Sequence, residues 1–155
     1  MVNEVNKNES VWEIHDSFMR DYNLSLKTNQ KFHIIVNEII DELKITNAEL
    51  QARSELSMKT IYRMRSGKIK NNKGVYVDYT PCYESIIAFC IACDLDMLMA
   101  IKLLDSLGLS FQRTNIIHYS YCYLIINCRG KSIKECNVVL EKLKTGKEHH
   151  LAEIA

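Results

Sequence analysis

Apolar residues recur at intervals of three and four along most of this chain, and very little interrupts them. Phe32, Ile35, Val36, Ile39, Ile40 and Leu43 keep that spacing, as do Met97, Ala100, Ile101 and Leu104. Ile133, Cys136, Val139, Leu140 and Leu143 repeat it near the end. Residues so spaced share one face of a helix. One proline and five glycines in 155 residues leave too few turn formers for an all-β fold. The pattern predicts an all-α fold of about seven helices, and a 47% hydrophobic content suffices for one real core.

Local signals place the helices. Ser10-x-x-Glu13, Thr46-x-x-Glu49 and Ser132-x-x-Glu135 are capping boxes, in which hydroxyl and carboxylate each satisfy an amide of the first turn. Thr28 is suited to cap a helix over 29–44, Ser57 one over 58–66, Asp94 or Asp96 one ending near 106, and Thr114 a later one. Thr80 precedes Pro81, which is tolerated at a first helical position because that amide has no partner. Gly67 and Gly108 supply left-handed stops. Residues 68–79, KIKNNKGVYVDY, read as a basic loop with a short extended piece at Val75–Val77. In NIIHYSYCYLIINC (115–128) the alternating tyrosines suit a strand, but length favours a helix.

Several function classes find no support. No run of 18 apolar residues is present, so no membrane span is expected. The polar start MVNEVNKNES lacks an apolar signal core, which predicts a cytoplasmic protein with six reduced cysteines. Cys90-x-x-Cys93 invites a metal or redox reading, but Cys82, Ile86, Cys90 and Cys93 share one helical face, as small core residues do. No second close pair completes a zinc set, so neither metal nor cofactor is expected. His15, His33 and His118 fall within helices, and His149-His150 lies in a polar tail. No catalytic arrangement emerges, and Trp12, Ile14 and Phe18 read as packing residues of the first helix.

Charge is the informative signal. Residues 44–74 hold eight basic residues against two acidic ones, net +6, while the rest of the chain holds 12 against 17, net −5. A positive segment on an acidic protein suits a polyanion. Within it, residues 58–66 divide on a helical wheel. Ile61 and Met64 take one side, with Thr60 at its margin, and Met58, Lys59, Tyr62, Arg63 and Ser66 take the other. A major groove admits one helix. There Lys59 or Arg63 can pair with guanine, Met58 or Thr60 can touch a thymine methyl, and Tyr62 can bond a base or phosphate. The hydroxyl of Ser57 and the free amides beside it suit phosphate.

The stretch TNAELQARSELSMKTIYRMRSG (46–67) resembles the helix-turn-helix of the Xre/Cro–lambda-repressor family. The matching features are Ala48-Glu49-Leu50, Leu56-Ser57, Lys59-Thr60-Ile61, Met64 and the closing Gly67. The resemblance implies a domain over 29–110, base contacts from Met58, Lys59 and Arg63 with Thr60 and Tyr62, and phosphate contacts near Asn47, Ser57 and the loop carrying Lys68, Lys70 and Lys73. Residues 1–28 then form an N-terminal arm and helix. Residues 111–155 form a helical extension on the same core with a polar tail, similar to that of some Firmicutes members. Three residues depart from the family pattern. Gln51 stands where alanine is usual at the close approach of the helices, Glu55 stands at the turn glycine, and Arg65 replaces an acidic residue at a flank where it can serve phosphate. The expected function is sequence-specific double-stranded DNA binding by a dimeric bacterial or phage repressor, not an enzyme. The alternative is a protein-interaction module, antirepressor or antitoxin-like, that keeps the fold. Residues 110–145 are the expected dimer surface.

Overall fold

The structure is a computed structural model that describes residues 10–19, 22, 30–143 and 150–151. The chain divides into two compact units, 1–30 and 31–155. In the first, residues 10–19 form helix α1. Ser10 is itself helical, so it does not stand at the cap position that its predicted box requires. Trp12, Ile14 and Phe18, expected to pack this helix down, are instead exposed. Trp12 meets His15 edge-on, and Phe18 stacks on Tyr22.

Seven helices and one hairpin build the described part of the second unit. They run α2 (Phe32–Leu43), α3 (Asn47–Ser54), α4 (Met58–Ser66), β1 (Lys68–Lys70), β2 (Tyr76–Asp78), α5 (Tyr83–Ala92), α6 (Met97–Asp105), α7 (Ile116–Asn127) and α8 (Ile133–Lys142). The fold is all-α apart from the hairpin. Among the described residues no helix is long and apolar enough to cross a membrane.

α5 is the centre of the unit. Ile86, Ile87, Ala88, Phe89 and Cys90 are consecutive and fully buried, so the helix is apolar around its circumference and must be enclosed. α3, α6, α7 and α8 all pack on it, while α2 packs on α4. The Tyr121 hydroxyl on α7 reaches Glu84 Oε1 on α5 at 3.3 Å. One apolar cluster runs from Phe32 on α2 to Leu140 on α8.

The boxes at Thr46 and Ser132 form, with Glu49 and Glu135 closing them. Asp96 caps α6, whereas Asp94 turns left-handed (φ 52°) after α5 and takes Arg129. Gly108 ends the segment after α6 at φ 71°. Other starts shift. Thr28 lies outside the described residues, and α2 begins at Phe32 behind Lys31 with no side-chain cap. Pro81 is buried ahead of α5, whose cap is Cys82. α7 is capped by Asn115, not Thr114: the Asn115 side-chain oxygen accepts from the amides of both Ile117 and His118. In the tail, His150 and Leu151 are buried. Asn137 holds Leu151 through both its backbone groups, and His150 Nε2 lies 3.4 Å from Glu141.

Candidate nucleic-acid interface

α4 is set in place by its two ends and its inner face. Ser57 Oγ accepts from the Thr60 amide at 3.1 Å and lies 2.9 Å from the Thr60 hydroxyl. Gly67 closes the helix at φ 71°, with its amide donating to Arg63. A Cβ at position 67 would lie 2.5 Å from His33 Nδ1, so glycine is required both for the turn and for the approach of α2. Ile61 and Met64 face inward and are almost fully buried. Outward, Lys59 and Ser66 are exposed, Tyr62 is 57% exposed, and Met58, Thr60 and Arg63 are half-buried. The five residues expected to meet bases are thus gathered on one short helix. Arg63 lies over the Tyr79 ring at 6.0 Å, a cation–π contact that holds its guanidinium.

The turn before α4 carries a left-handed glutamate, Glu55, at φ 57° and ψ 14°. Ser54, absent from the sequence reading, stabilises it. Its fully buried hydroxyl donates to the Leu50 carbonyl at 2.6 Å and accepts from the Leu56 amide at 3.1 Å. A small hydroxyl residue two positions before a buried leucine was the available signal. Gln51 is exposed, so it does not intrude between α3 and α4 as its position in the motif implied.

Arg65, expected at phosphate, has hydrogen-bond partners within the chain. Its Nε donates to Asn37 Oδ1 at 2.7 Å and its Nη1 to Asn47 Oδ1 at 2.6 Å, while Asn37 donates back to the Arg65 carbonyl. The guanidinium therefore joins α2, α3 and α4, and it engages the side-chain oxygen of Asn47, itself a residue expected near phosphate. Asn37 was missed in the sequence because nothing nearby marks it.

Residues 68–78 are not a loop but an antiparallel hairpin, with Lys68 opposite Asp78, Ile69 opposite Val77 and Lys70 opposite Tyr76. Asn71 Oδ1 accepts from the amides of Lys73 and Val75, and Gly74 takes the positive φ at the tip. Pairing across the strands changes the cations. Lys68 bonds Asp78, and that contact holds the Asp78 carboxyl below its usual range, with Lys31 adding to it. Lys70 lies 5.2 Å over the Tyr76 ring. Lys73 is exposed at the tip. The hairpin is anchored to α4 by the Tyr79 amide donating to Gly67.

The thiols are core groups. Cys90 and Cys93 are buried, and burial raises both, Cys93 to about 12, so they are protonated at neutral pH. Cys82, expected on the same face, is exposed as the α5 cap, because α5 starts after it. Among the described residues no three His, Cys, Asp or Glu side chains converge. No protein-family model, curated protein or solved structure matches the chain.

Proposed function

We propose that this protein binds double-stranded DNA in a sequence-specific manner, with α3 and α4 acting as a helix-turn-helix of Xre type and α4 entering the major groove. The reading rests on the division of α4. Ile61 and Met64 hold it to the core while Lys59, Tyr62 and Arg63 lie on the opposite side of a short, capped helix. The adjoining hairpin carries Lys70 and Lys73 as the phosphate-facing cations. Such a protein acts as a cytoplasmic transcriptional regulator of bacterial or phage type. It acts as a dimer, because one nine-residue helix spans too few base pairs for specificity.

The test is binding to genomic DNA fragments over a salt series, for the wild type and for Lys59→Ala/Arg63→Ala. DNA reading predicts a steep salt dependence for the wild type and lost sequence preference in the variant. Equal, weak binding by both proteins would sink the proposal. A second reading, a protein-interaction module on the same fold, draws support from one observation. Arg65 and Lys68 already have partners within the chain, which leaves fewer cations for phosphate.

A further inference from the structure

α7 holds no aspartate, glutamate, lysine or arginine. One side, with Tyr121, Leu124 and Ile125, is buried in the core. The opposite side is also apolar: Ile116 is 63% exposed, Tyr119 64%, Tyr123 44% and Ile126 59%. Steps of three, four and three residues align these four in one stripe along the helix. A helix apolar on both sides is ordinarily enclosed on both.

The order of residues along α7 says what encloses it. From Asn115 to Asn127 the chain reads NIIHYSYCYLIIN, almost the same in both directions about Tyr121. Only His118 against Leu124 and Ser120 against Cys122 break the symmetry. Two copies of the helix laid antiparallel with their midpoints together bring Ile116 against Ile126 of the second copy, and Tyr119 against Tyr123. Like then meets like along the whole stripe, with no charge to desolvate. That is the self-complementarity an isologous two-fold contact needs.

We propose that two copies of this chain associate through α7, antiparallel, about a two-fold axis at the level of Tyr121. The exposed tyrosines offer about 130 and 90 Å², and each isoleucine about 100 Å². The stripe alone therefore covers roughly 800 Å² over both copies, against the roughly 1,200 Å² of a small stable interface. The neighbouring α6, which packs on α7, is the available source of the remainder. Its Ile101, 39% exposed, shares a cavity with Cys122 on the flank of the stripe. An interface at the low end of that scale suits a weak, reversible dimer. The inference does not depend on α4 reading DNA.

Sedimentation velocity on the full chain, without DNA, tests it over roughly 1 to 100 μM. The wild type is expected to pass from monomer to dimer over that range. Ile116→Lys and Ile126→Glu, each alone, are expected to stay monomeric with an unchanged far-UV spectrum. The double variant regains the dimer, because the antiparallel register sets each Lys against a Glu of the other copy. Val138→Glu, at an exposed site on α8, leaves association as in the wild type. A wild type monomeric throughout overturns the proposal, and is also the result if a different protein covers the stripe. Single variants that still dimerise overturn the surface, and a monomeric double variant overturns the register.

Discussion

Glu55 shows how a single residue can be at odds with its turn. A side chain in the left-handed region meets its own carbonyl, which costs roughly 1–2 kcal/mol, and Glu55 sits there at φ 57°. Ser54 on one side and buried Leu56 on the other fix the backbone, so the turn survives the unfavourable residue. The Glu55 side chain is exposed and can be removed without opening the core. Glu55→Gly is therefore expected to stabilise the protein by about 1 kcal/mol net and to raise the thermal midpoint by about 2–4 °C. A lower midpoint on thermal unfolding would show that the turn is not strained.

At the scale of elements, Arg65 decides how α4 is presented. It bonds Asn37 on α2 and Asn47 on α3, so three helices share one planar guanidinium. Arg65→Ala leaves two part-buried amides short of a donor and is expected to cost about 1–3 kcal/mol. The urea midpoint should fall with the slope unchanged. Arg65→Lys keeps the charge but lacks the rigid fork, so it should lose most of the same stability. That variant also separates the two roles considered for this residue. A phosphate contact tolerates lysine, whereas a clamp does not. Wild-type stability in Arg65→Lys would remove the clamp.

Over the whole molecule, the unit 31–155 is organised around α5, which α3, α6, α7 and α8 all touch. Phe89 is fully buried at its middle. Phe89→Ala opens a cavity where helices from both ends of the unit meet, at an expected cost of about 3–5 kcal/mol. Because the core is continuous, the loss should lower one cooperative transition, with far-UV signal and tyrosine fluorescence changing together. Separate transitions for the two signals would show that the unit consists of two cores.

The features legible in the sequence were those set by neighbours a turn away. Apolar spacing marked α2, α6 and α8, and capping chemistry marked Thr46, Ser57, Asp96 and Ser132. The two faces of α4 were readable for the same reason, since 100° per residue sorts Ile61 and Met64 from Lys59 and Tyr62 without knowledge of the fold. Where a cation's partner lies far along the chain, local pattern is silent. Arg65 finds Asn37 and Asn47 at separations of 28 and 18 residues, and Lys68 finds Asp78 at 10. The hairpin belongs with them, because Lys68–Lys70 becomes a strand only when Tyr76–Asp78 pairs with it. The sequence by itself determined which helices form and which face of α4 is cationic, because periodicity and capping act within a few residues. Only the tertiary structure decided which of those cations are already occupied, because their partners are brought together by packing.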